Sequence, residues 1–383
     1  MRVVIIDPLL LYVRGGAETN DLNLGSSLEN NGHIVNYIVG EKVDSACFPI
    51  SKRDKDVLIP TYFPKDDLLN AHNLLGKFLR FIFYLDFSRR IIFKKPVSLK
   101  NADLVLITGR PIVSLSKFVT RSPVVYSIRG NIGYINRWFC RLSDGLIFWG
   151  GCEADNPDSF ARNIASIKLD PCVDDKFFYK APSDIALRSK LQMGDPNSHV
   201  ILYAGRIEPI KQLPHMVSAI RIAVGKGYNI KVVFIGDGSM KRELVVLTDE
   251  LLPGRVLFAG SQPPKVVGEM MRASDVFMLT SRTENHPIAA KEAISCGLNV
   301  IAYDVGRIRK IIDHWDAGSV VEADDIEGLA CELCKCLEAN QNNNRTESNN
   351  RSMLAMETWH EVATRLADWV ENEFYQKRKP HSS

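Results

Sequence analysis

The sequence predicts an α/β protein made of two doubly wound domains, in which helices cover both faces of a parallel sheet. A chain of 383 residues is longer than one hydrophobic core usually supports. Short apolar runs typical of buried strands alternate with helical segments along most of it. The alternation stops at residues 178–198, a linker-like stretch containing "KAPSD" and "GDPNS", and then starts again. We therefore predict a first domain over residues 1–177 and a second over residues 178–352.

The first domain opens with a buried-type strand at residues 3–7. A loop ending in "RGGAE" leads into a helix over about 17–31 that Gly32 terminates. The remaining strands are predicted at 34–39, 103–107, 123–128, 145–149 and 165–169.

The second domain repeats this order, with predicted strands at 199–205, 230–238, 255–260, 274–281, 298–304 and 319–322. Residues 340–351, "NQNNNRTESNNR", are polar and of low complexity, which predicts a loop. Apolar residues at helical spacing then predict a final helix from about residue 353 to 376. We expect residues 353–383 to form this helix and a tail, with the helix crossing back to pack on the first domain.

Composition and charge exclude several classes of protein. A hydrophobic fraction of 45% and a charged fraction of 24% are typical of a globular protein. The net charge of +3 is too small for a nucleic-acid binder. Without a signal peptide or a run of about 18 apolar residues, a cytoplasmic protein is expected. The cysteines at 331, 334 and 336 have no fourth ligand nearby, so we expect helix packing there and no metal.

Polar residues that follow predicted strands are candidates for binding an anion. Gly15 and Gly16 open a helix, where backbone N–H groups favour a phosphate, although a plain tight turn has the same signature. Arg206 and Lys211 follow the first strand of the second domain, and their charges can neutralise a diphosphate without a metal. Asp237, in "GDG" after the next strand, is either a turn residue or a nucleotide contact.

The stretch "TENHPIAAKE" places Glu284 and Glu292 around a predicted helix start, with seven residues between them. Pro287 suits the first turn of that helix. Ile288 and Ala289 are expected to present unpaired backbone N–H groups to a phosphate or a sugar hydroxyl. Glu292 can accept hydrogen bonds from a vicinal diol such as that of a ribose, and Glu284 can face a ligand from the strand-to-helix loop.

Four segments of the second half resemble, in order, the donor-binding domain of the retaining glycosyltransferases of family 4. They are "YAGRIEPIKQ", "VVFIGDGSMKREL", "VLFAGSQPPKVVGEMMRASDVFMLTS" and "RTENHPIAAKEAISCGLNVIAYDVG". The resemblance is strong over residues 200–325 and thinner over residues 1–175, where "RGGAE" and "LDPCVDDKFF" carry it. It implies the GT-B fold, with two Rossmann-like domains facing a cleft.

The resemblance also implies a reaction and residue roles. A sugar would pass from a UDP- or GDP-sugar to a glycan or lipid-linked acceptor, with retention at the anomeric carbon and without a metal or other cofactor. Glu292 would hold the ribose, and Glu284 would lie against the transferred sugar as a catalytic group. Arg206 and Lys211 would hold the diphosphate, with Gly16 closing over it. The implied setting is the biosynthesis of cell-envelope polysaccharide, lipopolysaccharide or glycolipid.

The sequence departs from the family pattern in three places. Asn285 and His286 stand where the family has Gly-Phe beside the sugar, and we count both among the expected donor contacts. A histidine at a helix entry without a ligand role fits His286 equally well. Arg307 replaces the second glycine of a Gly-Gly after the next strand. Arg129, in "SIRGN", stands where the family often has a histidine near the sugar, and we count it as a catalytic candidate. Arginine does not act as a base near neutrality, but it can bind an acidic acceptor or a phosphate. An inactive sugar-nucleotide-binding or scaffold homologue therefore stays open as an alternative.

Residues 77–100 interleave basic and aromatic side chains, with Asp86 as the single acid. Such a segment can dock on an anionic surface, which would place the protein at the inner face of the plasma membrane. A core helix with a solvated basic edge has the same pattern, since apolar residues occupy nearly all sides of "FLRFIFYL".

Overall fold

A computed structural model of the chain describes residues 1–10, 16–41, 58–60, 74–129, 134–150, 163–181, 185–191, 193, 197–284, 286–342 and 357–377. The chain divides into two compact units, the first made of Met1–Pro171 with Trp359–Ser383 and the second of Cys172–Thr358. The division falls six residues before the boundary predicted between residues 177 and 178.

The described part of the first unit contains one parallel sheet of seven strands, in the order β3-β2-β1-β4-β5-β6-β7. The strands are β1 (Arg2–Asp7), β2 (Ile34–Glu41), β3 (Leu58–Pro60), β4 (Leu104–Ile107), β5 (Val124–Ile128), β6 (Gly145–Trp149) and β7 (Ala165–Leu169). Three of them, β4, β5 and β6, are buried along their whole length, which explains their nearly unbroken apolar sequences. The strand order reverses between β1 and β4, and ligands of such sheets bind beyond the strand ends at this kind of position.

Among the described residues up to Pro171, the helices are α1 (Gly16–Asn30), α2 (Leu74–Lys94), α3 (Val97–Lys100) and α4 (Tyr134–Cys140), with a 3₁₀ segment at Pro111–Val119. Gly32, with φ of 83°, follows the end of α1 and fits the predicted helix stop.

The last helix returns to the first unit, as expected from the sequence. It runs from Trp359 to Val370 and continues as a π-helical segment, Glu371–Gln376, and Trp359 lies 6.0 Å from Trp149 between ring centroids. The amide of Asn31 donates a hydrogen bond of 3.0 Å to the Thr364 hydroxyl. Residues 353–356, where the helix was predicted to start, lie outside the described part of the chain.

The second unit contains a parallel sheet of six strands among its described residues, in the order β10-β9-β8-β11-β12-β13. The strands are β8 (His199–Ala204), β9 (Ile230–Ile235), β10 (Val256–Gly260), β11 (Val276–Leu279), β12 (Asn299–Tyr303) and β13 (Gly318–Val321). The helices among the same described residues are α5 (Ile185–Lys190), α6 (Leu213–Gly225), α7 (Lys241–Leu251), α8 (Pro264–Arg272), α9 (Ile288–Ser295), α10 (Ile308–Trp315) and α11 (Ile326–Asn342), with a 3₁₀ turn at Pro209–Lys211.

The predicted linker at residues 178–198 is in part a packed element of the second unit. It contains α5, in which Arg188 is fully buried. The Arg188 guanidinium donates to the Ala273 carbonyl oxygen and to Asp275 Oδ1, both at 2.7 Å. The turn-rich composition concealed this helix, which is attached to the domain by the buried Arg188–Asp275 pair and by Leu187 and Leu191, which pack against the core.

No helix among the described residues combines the length and the apolar character needed to span a membrane.

Candidate active site

The loops that follow β8 and β9 pack backbone against backbone. The Gly205 N–H donates to the Ile235 carbonyl oxygen at 2.9 Å, and a Cβ on Gly236 would come within 1.9 Å of the Gly205 oxygen. A Cβ on Gly238 would likewise lie 2.2 Å from the Ile207 oxygen. Both glycines of "GDG" are therefore required for the close approach of these loops.

Lys211 ends the 3₁₀ turn that follows β8, and residues after β11 fix that turn. The Thr280 hydroxyl is within hydrogen-bonding distance of the Lys211 carbonyl oxygen at 3.0 Å and of the Gln212 carbonyl oxygen at 3.1 Å. The Arg282 N–H donates to the Ile210 carbonyl oxygen at 2.8 Å. The loops after two neighbouring strands are thereby joined where a parallel sheet binds its ligands.

Glu284 meets Lys211 at this position. The Lys211 ammonium donates to Glu284 Oε1 at 2.5 Å, and the Ser281 hydroxyl donates to the same oxygen at 2.6 Å. The two charged side chains are only 18% and 12% exposed. Gly306, with φ of +61°, packs so closely that a Cβ would lie 1.7 Å from the Glu284 carbonyl oxygen. The carboxylate is therefore oriented both through its side chain and through its backbone.

Arg206 belongs to the same group of residues. It is exposed, and its carbonyl oxygen accepts a hydrogen bond of 2.8 Å from the buried Tyr203 hydroxyl. Burial and the Glu284 carboxylate raise the pKa of Tyr203 above its ordinary range, while Arg206 acts in the opposite direction. Both charges thus lie within electrostatic reach of one hydroxyl, and the structure brings Arg206, Lys211 and Glu284 to the same strand ends.

Asp237 forms contacts within its own turn. Its carboxylate accepts from the Gly238 N–H at 2.9 Å and pairs with Lys241 at 3.1 Å. The Gly238 N–H, followed by Lys241, lowers the pKa of Asp237 below its ordinary value. Glu208 ties the same turn to the loop after β8 by accepting a hydrogen bond of 2.6 Å from the Ser239 hydroxyl.

The start of α9 differs from the prediction in one respect. The Ile288 N–H was expected to be unpaired, but it donates to the His286 carbonyl oxygen at 2.9 Å. Pro287, with φ of −77° and ψ of 80°, is the central residue of this inverse γ-turn. The proline restricts the chain to a conformation that closes the turn and uses the first N–H of the helix. Asn285 lies outside the described residues.

Glu292 lies one turn inside α9 and is partly buried. Burial, and next the nearby Asp174 carboxylate, raise the pKa of Glu292 from 4.5 to about 7. The Asp174 carboxylate also accepts a hydrogen bond of 3.1 Å from the Lys176 N–H. Sequence reasoning missed Asp174, although it lies in the quoted stretch "LDPCVDDKFF".

Arg129, in the first unit, binds a buried carboxylate. Its guanidinium donates to Asp21 and lies 5.7 Å from the centroid of the Trp149 ring. Burial is the main cause that raises the pKa of Asp21 from 3.8 to about 8; Arg129 acts against this shift and Asp7 adds to it. A carboxylate therefore already faces the Arg129 guanidinium. Gly16 is the first residue of α1, and Gly15 lies outside the described residues.

The chain is similar to known proteins in both sequence and fold. A family model described as "Glycosyl transferases group 1" matches residues 190–353. The chain is 26% identical over 166 residues to N-acetyl-alpha-D-glucosaminyl L-malate synthase of Bacillus anthracis, covering 43% of this chain and 42% of that enzyme. It spans about two-fifths of the length of the curated relatives it matches.

Solved structures resemble the chain over nearly its whole length. Anabaena HepE, in complex with UDP and glucose, has a TM-score of 0.71 and 18% identity, covering 97% of this chain and 100% of that one. WaaG, a glycosyltransferase involved in lipopolysaccharide biosynthesis, has a TM-score of 0.68 and 16% identity, covering 96% and 99%. At these identities the likeness concerns the fold. Residues 190–353 therefore resemble the group 1 family of glycosyl transferases, and the chain has a GT-B fold.

Proposed function

We propose that the protein is a retaining glycosyltransferase that moves a sugar from a UDP- or GDP-sugar to a glycan or lipid-linked acceptor. The setting that we infer is cell-envelope polysaccharide, lipopolysaccharide or glycolipid biosynthesis. One observation carries the proposal, namely the Lys211–Glu284 pair held by Ser281 at the carboxyl ends of β8 and β11.

The pair places a fixed cation, Lys211, where it can stabilise the negative charge of a diphosphate leaving group. As the bond to the sugar breaks, charge grows on the diphosphate, and a fixed cation close to it stabilises that charge. Lys211 is such a cation, and the exposed Arg206 is a second one in the same loop. In the proposed donor complex the Lys211 ammonium leaves Glu284 and pairs with the diphosphate. Glu284, still held by Ser281, then faces the sugar, which acquires positive character.

Glu292 is assigned to the ribose of the donor. An ionised carboxylate can accept hydrogen bonds from both hydroxyls of a vicinal diol. Because Lys211 and Arg206 supply the positive charge, we propose that transfer proceeds without a metal. Gly16 and His286 remain proposed donor contacts, and Arg129 a proposed residue of the acceptor side.

Donor hydrolysis tests the proposed activity. Release of UDP or GDP is measured from a panel of sugar nucleotides, starting with UDP-glucose because a structure of similar fold holds UDP and glucose. Lys211→Ala and Glu284→Ala should each lower turnover about 100-fold or more, as expected when a preorganised electrostatic group is removed.

A matched control removes a lysine from another Lys–Glu pair of the same unit. Lys335 pairs with Glu332 at 2.7 Å on α11, with its side chain 65% exposed. Lys335→Ala should therefore keep normal turnover. Near-normal rates in folded Lys211→Ala or Glu284→Ala protein would contradict the assignment. Tight donor binding without turnover, with varied acceptors, would instead identify an inactive homologue.

We further propose that α2 docks the protein on an anionic membrane surface. Phe83, Tyr84, Phe87 and Ile91 are buried, yet the helix also exposes large apolar side chains. Their spacing is i, i+3, i+4, i+7, and they are Phe78, Phe81, Ile82 and Leu85 at 59%, 41%, 44% and 39% exposure. Such a second apolar face has no role in the described core, whereas it suits insertion between lipid headgroups.

Charge complementarity points to lipid as the occupant of this face. Residues 77–100 hold seven basic residues against Asp86, which pairs with Arg89 and Arg90. The net excess of positive charge suits an anionic lipid surface.

Flotation with anionic liposomes at low salt tests the docking. The wild type should float, Phe81→Glu with Ile82→Glu should not, and neutral liposomes should bind less. Val246→Glu is the control, since Val246 is a 65% exposed apolar residue on a helix of the second unit. Absence of flotation in the wild type, or equal flotation of both variants, would remove the proposal.

A further inference from the structure

We propose that Gln212 is a positioning residue for Lys211, because its side chain, anchored on Asp324, holds the left-handed turn that aims the lysine at Glu284. The positioning of Lys211 is argued from geometry alone, whereas its effect on a donor rests on the function proposed above. The residues Gln212, Asp324, His215 and Tyr303 are called the Gln212 clamp below.

The backbone gives the first reason. Gln212 has φ of 45° and ψ of 40°, and Asp324 has φ of 67°, so both are left-handed without being glycine. Such residues persist only where their surroundings fix them, and they concentrate at functional sites. Here the two are bonded to each other, since the Gln212 side-chain amide donates to Asp324 Oδ1 at 2.9 Å.

The surroundings of this contact are tightly arranged. The His215 N–H donates to the Gln212 carbonyl oxygen at 3.0 Å. His215 Nδ1 lies 2.9 Å from the hydroxyl of Tyr303, a fully buried residue, and 3.6 Å from Asp324 Oδ1. The Gln212 Oε1 atom is itself buried, without a hydrogen-bond partner among the described residues. Gln212 therefore carries a cost in hydrogen bonding as well as in backbone conformation.

The clamp connects directly to the proposed active site. Gln212 follows Lys211 in the chain, and the Thr280 hydroxyl binds the carbonyl oxygens of both residues. A change of the Gln212 backbone to a right-handed conformation would redirect the Lys211 peptide. The ammonium would then leave Glu284 Oε1, which it now contacts at 2.5 Å.

The test needs substitutions that distinguish the loss of the Gln212–Asp324 contact from the relief of left-handed backbone strain. Gln212→Gly tolerates the left-handed conformation but removes the side chain, and Asp324→Gly does the same at the other end. Asp324→Asn keeps both an oxygen acceptor and a tolerance for left-handed geometry, so it should preserve the clamp. Asp316→Gly is the strain control, because Asp316 is another left-handed residue of the unit, with φ of 45°, at the end of α10.

The first readout requires no ligand. The rate of reductive methylation of the Lys211 amine, followed by mass spectrometry, reports how firmly Glu284 holds it. We expect a rise of at least about fivefold in Gln212→Gly and Asp324→Gly, and none in Asp324→Asn or Asp316→Gly. The variant that combines Gln212→Gly with Asp324→Gly should be methylated at Lys211 little faster than either single variant, because both substitutions remove the same contact. If Gln212→Gly does not fold, Gln212→Asn serves, since asparagine tolerates the turn but is one methylene short of Asp324.

The second readout is the binding of UDP and of inorganic pyrophosphate by calorimetry. The two glycine variants should bind UDP about tenfold more weakly, while Asp324→Asn should bind it normally. A Gln212→Gly protein with a raised melting temperature and an unchanged rate of Lys211 methylation would overturn the proposal. It would show that Gln212 strains the backbone without positioning Lys211. Faster methylation in a protein that binds neither probe would sink the proposed function and leave the positioning role standing.

Discussion

Glu292 should make the stability of the second unit depend on pH. Its pKa is raised from 4.5 to about 7, first by burial and then by the Asp174 carboxylate. Ionising it in the folded protein therefore costs about 3 kcal/mol more than in the unfolded chain. Between these pKa values the folded state keeps a proton that the unfolded state has lost. The free energy of unfolding should thus fall as pH rises from 4.5 to about 7.

Glu292→Gln removes this titration but preserves the size of the side chain. Hydrogen exchange of the buried strands of the second unit measures the effect without assuming that both units unfold together. The difference in opening free energy, wild type minus variant, should decline by about 3 kcal/mol over that range. Asp174→Asn should shrink the decline, since it removes the second cause of the raised pKa. Parallel pH profiles for wild type and Glu292→Gln would refute the reasoning.

The same titration links to the ribose assignment. If the ionised Glu292 accepts the diol hydroxyls, UDP binding should release a proton below pH 7 and tighten as pH rises. Calorimetry in two buffers of different ionisation enthalpy measures that proton. Release that persists in Glu292→Gln would assign the proton to another group.

Three further predictions concern other parts of the molecule. Arg188→Met should destabilise the second unit by about 3–5 kcal/mol in thermal melts, because it leaves Asp275 without its buried cation; a near-normal melting temperature would contradict this. Gly306→Ala should slow donor hydrolysis about tenfold or more, since its Cβ would displace the Glu284 backbone; an unaffected rate would show that the loop yields freely. Asp21→Asn should remove the loss of stability expected of the first unit as pH rises from 3.8 to about 8, and hydrogen exchange that still changes over that range would assign the loss to another group.

The strands were predictable because each sheet is parallel and covered on both faces. In that setting a strand reads as a continuous apolar run, and all six predicted strands of the second half are present. The predicted strands of the first half are present too. Leu58–Pro60 was missed because three residues, one of them a proline, carry no such run.

The candidate site was predictable only in part. Lys211 and Glu284 follow strands, and parallel topology is enough to bring residues at strand ends together. The groups that orient them depend on side-chain directions, which sequence spacing does not specify. Ser281 and Thr280 carry a weak signal, as polar residues directly after β11, whereas the contact between Gln212 and Asp324 joins residues 112 positions apart and leaves no local pattern.

The return of the last helix to the first unit has a consequence for biosynthesis. The second unit is continuous from Cys172 to Thr358, whereas the first unit needs Trp359 and the residues after it. A ribosome therefore finishes every residue of the second unit before it supplies the segment that covers Trp149. The second unit, although it is translated later than most of the first, can therefore reach its native state first. Until the last helix is synthesised, the nascent first unit keeps the apolar surface around Trp149 uncovered.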